Sequence, residues 1–239
     1  MNEEAQAGLI FALGAVALRL GLTNAHLAYI QPAMGPALAV AGAVLVVLGG
    51  VILLRPGRTR QLDPGAHDHH HHGGGSRVGW LLVAPILAIA VVAPSPLGAF
   101  AASRAPTVLP TLTRSFGPLP PPRAGAVDLP LTEFVGRAVH GQGESLRAVP
   151  VRLIGFATPD ARGDGFLLTR FVINCCAADA RPVRVAIRGA ERPWPAADTW
   201  LEVTGTWRPE TRRAEETHPP TLELTALRPI APPENRYLR

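Results

Sequence analysis

The two cysteines of this chain are adjacent, at Cys175 and Cys176, and a carboxylate, Asp179, follows three residues later. Thiolates favour zinc and Cu(I), and a complete tetrahedral site needs about four donors, so His140 or His218 could supply another ligand. Neighbouring side chains on a strand point to opposite faces, so both thiols can bind one metal only where the strand bends. We therefore predict a metal site at Cys175, Cys176 and Asp179.

The same three residues also fit other chemistry. A vicinal disulfide suits an oxidising compartment, but adjacent Cα atoms lie only about 3.8 Å apart, which strains the ring. The thiols could instead be structural, as small half-buried side chains at a strand end. Redox or thiol-transfer chemistry is a further alternative, although the spacing is not Cys-x-x-Cys. Asp179 is equally suited to capping a local turn.

A histidine run forms a second group of candidate metal ligands, and Gly73-Gly-Gly-Ser76 follows it. Neutral imidazoles suit zinc, nickel and copper, and a flexible His-rich tract can gather such metals loosely. The run has no cysteine and no spacing that would close a tetrahedron, so a low-complexity linker is the alternative. The predicted ligands are His67, His69, His70, His71 and His72.

Motifs for other function classes are missing from the sequence. Ser145 has no Gly-x-Ser-x-Gly elbow around it, and there is no Walker or Rossmann glycine pattern, so we predict that the chain is not an enzyme. The net charge of +5 comes from scattered arginines, with 5% aromatic residues, which indicates no nucleic-acid partner.

Three apolar tracts dominate the first hundred residues, at Ala5–Leu22, Pro36–Leu54 and Val78–Ala93. A membrane span needs about 20 apolar residues. We predict a transmembrane helical hairpin over 1–54 and a third transmembrane helix over 78–100. The third tract also has the charged start, apolar core and small-residue end of a signal peptide, and both interpretations send the remainder of the chain to the same side.

The arginines of the short loops predict the orientation. Residues 55–77 hold four arginines with the histidine run, whereas the segment between the first two tracts holds none. Cytoplasmic loops carry the excess of basic residues, so we place 55–77 in the cytoplasm and everything after Pro94 outside. The prediction is a multi-pass protein of the cell membrane.

The outer half begins with a Pro-rich linker over 101–128, followed by a β-rich extracytoplasmic domain over 129–239. A short helix is predicted within Leu129–Val139, with Thr132 as its N-cap. Five β-rich runs then suggest a small all-β, OB-like barrel. These runs are Val149–Phe156, Phe166–Ile173, Val183–Ile187, Trp200–Trp207 and Leu222–Leu227.

Several of these segments resemble the YcgQ-like family of bacterial permease subunits, whose C-terminal domain has no known function. The resemblance implies that the chain pairs with a multi-spanning permease and acts in metal homeostasis. The matching pieces are Pro94-Ser-Pro-Leu-Gly98, Gly155-Phe156, Arg170-Phe171, Cys175-Cys-Ala-Ala-Asp179, Trp200-Leu-Glu-Val-Thr-Gly205 and Tyr237-Leu238.

Three helices with few polar groups inside the membrane are too few to form a transport path alone, so we expect a permease partner in the same membrane. The predicted function is a membrane-anchored accessory subunit that handles or senses a metal ion, zinc or another transition metal, through the outer Cys-Cys-x-x-Asp domain. One alternative is an envelope thiol or redox protein, and another is a structural assembly factor for a membrane complex.

Overall fold

The computed structural model describes residues 3–54, 96–106, 116–209 and 218–238. The chain divides into two compact units. The first unit consists of Met1–His26 with Pro32–Ser95, and the second of Leu27–Gln31 with Pro96–Arg239. The predicted histidine loop and third apolar tract, residues 55–77 and 78–93, lie outside the described residues.

The first unit contains a pair of packed helices, α1 (Glu3–Leu22) and α2 (Gly35–Leu54). Small residues at intervals of seven line the contact, because seven residues are close to two helical turns and return to the same face. The helices run antiparallel and very close together, since a Cβ on Gly14 would lie 2.6 Å from the Val46 nitrogen. The buried small residues are Ala7, Gly14, Gly35, Gly42 and Gly49.

Large aliphatic side chains lie on the outer surface of this pair. Val40, Val47 and Leu54 are 65%, 63% and 83% exposed. In the described residues, the segment Pro32–Leu54 is long and apolar enough to cross a membrane, and Gln6–Leu22 is a shorter apolar helix. The helical conformation predicted for the first two apolar tracts is therefore confirmed.

The second unit is built on a six-stranded mixed sheet in the order β1-β2-β3-β4-β6-β5, in which β2 also pairs with β5. β1 runs parallel to β2, β4 runs parallel to β6, and the other pairs are antiparallel. The five predicted strands are confirmed, and two-residue β1 is an addition. The strands are β1 (Val127–Asp128), β2 (Pro150–Pro159), β3 (Phe166–Val172), β4 (Arg181–Arg188), β5 (Trp200–Arg208) and β6 (Thr221–Pro229).

Two helices pack on this sheet. Helix α4 (Leu131–Val139) confirms the predicted short helix, but Thr132 does not cap it, because the helix already begins at Leu131 after an extended Pro130. Proline suits this position since its ring fixes φ and it has no N–H to satisfy. Helix α3 (Ala99–Arg104) occupies residues that composition had assigned to the third apolar helix and to the Pro-rich linker.

Two apolar clusters form the core of the second unit. The larger one lies between the strands and α4, and includes Phe134, Leu153 and Val185. The smaller cluster packs Ala99 and Ala102 of α3 against four aromatic rings. Three of them, Phe156, Phe171 and Trp200, belong to strands, and Tyr237 lies near the C-terminus. The smaller cluster therefore fixes α3 to the end of the sheet where β3 leaves for the cysteine pair.

Candidate functional site

The cysteine pair lies in a tight bend between β3 and β4. A 3-10 turn at Ala177–Asp179 reverses the chain, with Cys176 in extended conformation at its start. The Asp179 carboxylate accepts backbone N–H groups from Asn174 at 2.7 Å, Cys175 at 2.8 Å and Cys176 at 3.3 Å. The Cys176 side chain in turn accepts the Asp179 N–H, which completes a capping box. This is the bend that chelation by adjacent cysteines requires.

The bend brings together the three residues that were predicted as metal ligands. The Cys175 and Cys176 sulfurs are 3.6 Å apart and are not bonded to each other. One ligand atom from each of Cys175, Cys176 and Asp179 lies within 4.8 Å of the other two. Cys175 is exposed, while the other two are half-buried. In the described part of the chain, this group that could hold a metal includes neither His140 nor His218.

The remaining histidine candidates lie elsewhere. His140 lies at the C-terminal end of α4, and the Nε2 atom of His218 is 3.4 Å from the Arg188 guanidinium. His67, His69, His70, His71 and His72 fall outside the described residues. The structure therefore assembles the Cys-Cys-Asp group without a histidine among its described neighbours.

Cys175 and Asp179 shift the pKa values of each other. The hydrogen bond with Cys175, together with the backbone N–H groups of Asn174 and Cys175, lowers the pKa of Asp179 from 3.8 to about 2. The hydrogen bond to Asp179, followed by that to Cys176, raises the pKa of Cys175 from 9.0 to about 11. At neutral pH the pair is therefore a thiol beside a carboxylate, and Cys175 is a weak nucleophile because little thiolate forms.

The loop that joins α1 to α2 contributes its middle residues, Leu27–Gln31, to the same corner. Ile30 and Cys176 form an antiparallel bridge. The Ala177 N–H donates to the Tyr29 carbonyl at 2.6 Å, and the Gln31 N–H donates to the Cys175 carbonyl at 3.2 Å. Sequence reasoning missed this partner, because an uncharged loop far away in the chain carries no local signal for pairing.

The segment Asn235–Leu238 holds this corner from the other side. The Leu238 N–H donates to the Phe171 carbonyl at 2.8 Å, which adds a parallel bridge at the end of β3. The buried Tyr237 hydroxyl donates to the Ala28 carbonyl at 2.6 Å. Arg170 donates to the carbonyls of this segment, and burial lowers its pKa. The bend at Cys175–Asp179, called the thiol bend below, therefore contacts two segments that are distant in sequence.

Charged side chains fix both ends of α3. The Ala99 N–H at its first turn donates to the Asp198 carboxylate at 2.6 Å. At the other end, Arg184 donates to the carbonyls of Ala102 and Ala105, the latter at 3.0 Å. Both charges complement the helix dipole, with the anion at the N-terminus and the cation at the C-terminus. The orientation of this short helix on the sheet is therefore well defined.

A second polar cluster lies beside the β2–β3 turn, at the end of β3 opposite the thiols. Arg188 contacts Asp160 at 2.8 Å and Asp164 at 3.1 Å. Arg188 and Asp160 form an ion pair, but the buried Asp160 Oδ2 atom accepts no hydrogen bond of good geometry. Because the Arg188 guanidinium already pairs with both carboxylates, this cluster has the composition of a structural ion-pair network rather than of a cation site.

The family model described as the DUF1980 C-terminal domain matches residues 137–238. The matched range spans the five long strands, the thiol bend and the Asn235–Leu238 segment. No curated protein and no solved structure matches the chain.

Proposed function

We propose that this chain is a membrane-anchored accessory subunit of a permease, and that its outer domain binds a zinc-class metal ion at Cys175, Cys176 and Asp179. The observation that supports metal binding most directly is the placement of one ligand atom from each residue within 4.8 Å of the other two. The permease partner is supported by the YcgQ-like resemblance and by the small number of apolar helices.

The way the two helices pack supports a membrane hairpin. In water, a helix pair would bury its large aliphatic side chains and expose the small ones. Here Gly14 and Gly42 face the partner helix, whereas Val47 and Leu54 point outward. Lipid tails are as apolar as these side chains, so helices in a membrane associate through small residues that allow close contact. Exposed aliphatic patches of this kind also mark membrane or protein contacts in general.

The strand pairing supports an OB-like barrel for the outer domain. The pairing of β2 with β5 gives each of the five long strands a neighbour on both sides. A ring of this kind closes a sheet into a small barrel, as in the OB fold. The helix usual between the third and fourth barrel strands has no counterpart among the described residues 189–199, and α4 packs on the strands instead.

The separation of the sulfurs favours a tetrahedral ion over a linear one. With Zn–S bonds of about 2.3 Å, sulfurs 3.6 Å apart subtend about 103° at the metal, close to the tetrahedral angle. A linear two-coordinate ion would hold the sulfurs about 4.6 Å apart at the same bond length. An ion that displaces the Cys175 proton would also lie close to Asp179, because their ligand atoms lie within 4.8 Å of each other.

The site has three protein donors, which suits exchange of the metal. Structural zinc sites close with four protein ligands, whereas sites that keep an open position bind water or another ligand there. Cys175 is exposed, so the fourth position faces solvent or a partner. This arrangement supports a role in handling or sensing the ion.

The position of the loop between α1 and α2 supports the proposed topology. Leu27–Gln31 belongs to the same compact unit as the sheet. In the proposed topology the loop and the outer domain share one side of the membrane. The histidine run would then lie on the opposite side, in the arginine-bearing cytoplasmic loop. The histidine run and the Cys-Cys-Asp group would then face two different compartments.

A structural role for the thiol bend is the second candidate. Asp179 already accepts three backbone N–H groups, and the capping box accounts for both Asp179 and Cys176. On this hypothesis the bend serves only to hold the neighbouring segments for assembly with a partner. The redox alternative has less support, because a pKa of about 11 leaves Cys175 with little thiolate.

Metal content of the purified full chain distinguishes these functions. All measurements use a background in which His67, His69, His70, His71 and His72 are replaced by Gln, so that the histidine run binds no zinc. We expect about one zinc per chain by inductively coupled plasma mass spectrometry, and loss of it in the Cys175→Ser/Cys176→Ser variant.

An Asp164→Asn variant is the matched control, because Asp164 is a carboxylate of the β2–β3 turn outside the thiol bend. Unchanged zinc in the double serine variant would contradict the metal site. The permease role is tested by zinc uptake into cells that express a multi-spanning permease with and without this chain. Equal uptake rates would contradict the accessory role.

A further inference from the structure

We propose that the face of the outer domain formed by α3, Leu27–Gln31 and the thiol bend rests on the phospholipid surface, with Phe100 inserted among the lipids. The inference builds on the membrane anchor proposed above and is independent of metal binding. The partner of this face is therefore the lipid surface.

The exposure of Phe100 is the first observation. Its side chain is 70% exposed, although its helix neighbours Ala99 and Ala102 are buried at 8% and 1%. Among the described residues, the other exposed large apolar side chains all belong to the helix-pair unit. An aromatic ring left in water by an otherwise well-packed domain therefore calls for a partner surface.

The neighbour of that ring fits a lipid headgroup region. The Arg104 guanidinium lies over the Phe100 ring, 3.8 Å from its centroid. A cation stacked on an aromatic ring combines an apolar body with a charge that can reach phosphate groups. Aromatic side chains flanked by basic ones are typical of the zone between hydrocarbon and water.

Contacts at both ends of α3 keep the side chains of Phe100 and Arg104 on the outer side of the domain. Asp198 binds the first turn of α3 and Arg184 binds its last carbonyls, so the helix cannot rotate Phe100 towards the core without breaking both contacts. The buried face of α3 is already filled by aromatic side chains of the sheet. The outward position of the ring is thus built into the fold.

The chain segments that form this face adjoin apolar tracts in the sequence. Leu27–Gln31 precedes α2, the apolar candidate span, by only three residues. Pro96 and α3 follow directly after the third apolar tract. Two chain segments that adjoin apolar tracts in the sequence therefore belong to this domain. The thiol bend lies on this face too, because the Gln31 N–H donates to the Cys175 carbonyl.

The test measures the distance of the thiols from lipid. The full chain is reconstituted into nanodiscs of three parts phosphatidylcholine to one part phosphatidylglycerol. Cys176→Ser leaves Cys175 as the one thiol, and serine keeps the N-cap function. A fluorophore on Cys175 is then quenched by nitroxide-bearing lipids, in comparison with iodide added to the water.

The reference label sits at the other end of β3. Ala161→Cys in a Cys175→Ser/Cys176→Ser background places the fluorophore in the exposed β2–β3 turn. Seven residues of strand separate the two ends by about 23 Å. We expect at least threefold stronger lipid quenching at Cys175 than at Ala161→Cys. Equal lipid quenching with full iodide access at both positions would overturn the proposal.

Phe100 variants test the anchor itself. Phe100→Ser should reduce lipid quenching of the Cys175 label at least twofold, and Phe100→Trp should preserve it. Quenching that Phe100→Ser leaves unchanged would contradict insertion of this side chain. An exposed ring contributes little to folding, so the melting temperature should stay constant. Zinc content is measured separately on unlabelled chain with both cysteines intact, so absence of zinc there with quenching retained in the labelled chain would contradict only the metal site.

Discussion

Replacing Asp179 by asparagine should lower the pKa of the Cys175 thiol and so make it more reactive. In the folded protein the interaction with the Asp179 carboxylate is the largest cause of the raised pKa of Cys175, because it favours the protonated thiol. Asparagine keeps the size and one carbonyl oxygen for the backbone N–H groups, but it removes the negative charge. We therefore expect the pKa of Cys175 to fall from about 11 towards its ordinary value of 9.0.

The size of the effect follows from the two pKa values. At pH 8 the thiolate fraction is about 0.1% at a pKa of 11 and about 9% at a pKa of 9, a ratio of about 90. A thiolate of lower pKa is also a weaker nucleophile, by about eightfold for this difference at a Brønsted coefficient of about 0.45. The net expectation is a roughly tenfold faster reaction with a disulfide reagent.

The assay is the rate of reaction with dithiodipyridine at pH 8, in a Cys176→Ser background so that one thiol reacts. Asp164→Asn serves as the control, because this carboxylate belongs to the β2–β3 turn and contacts Arg188. We expect the control to leave the rate unchanged. An increase of less than threefold in Asp179→Asn would refute the reasoning that Asp179 raises the pKa of Cys175.

Three further outcomes are expected. Tyr237→Phe removes the hydrogen bond to the half-buried Ala28 carbonyl, so it should lower the free energy of unfolding by about 0.5–1.5 kcal/mol in urea titrations followed by tryptophan fluorescence. Gly42→Leu should lower the melting temperature in detergent, because its Cβ meets the backbone of α1, whereas Gly8→Leu, with open space around it, should not. The contribution of Asp179 to stability should be fully present above pH 3.8 and be lost as the pH falls through about 2, and Asp179→Asn should show no such loss in acid titrations.

The strands and long helices could be predicted because their signals are local. β-branched and aromatic runs bounded by Gly, Pro and Asp placed the five long strands within a few residues. The thiol site was equally accessible, since Cys175, Cys176 and Asp179 lie within one turn of chain. The cap at Thr132 was wrong, because Pro130 already sets the entry of α4 and the helix begins one residue earlier.

The long-range contacts could not be predicted from the sequence. The Ala99 N–H and the Asp198 carboxylate are separated by 99 residues, and neither position has a pattern that indicates the other. A Pro-rich composition suggested an extended spacer, yet packing on aromatic rings stabilises α3 there. Tertiary contacts can outweigh local propensity in short helices, which gain little from their own hydrogen bonds.

The contact between Tyr237 and Ala28 has a consequence for biosynthesis. The two residues are 209 positions apart, so at synthesis rates of about 5–20 residues per second the loop is made roughly 10–40 s before its partner. The strands and the thiol bend are made earlier in that interval, but the Ala28 carbonyl has no Tyr237 hydroxyl to bind until the last residues are added. The contact that joins Leu27–Gln31 to Asn235–Leu238 is thus a late event, and translation sets its earliest time.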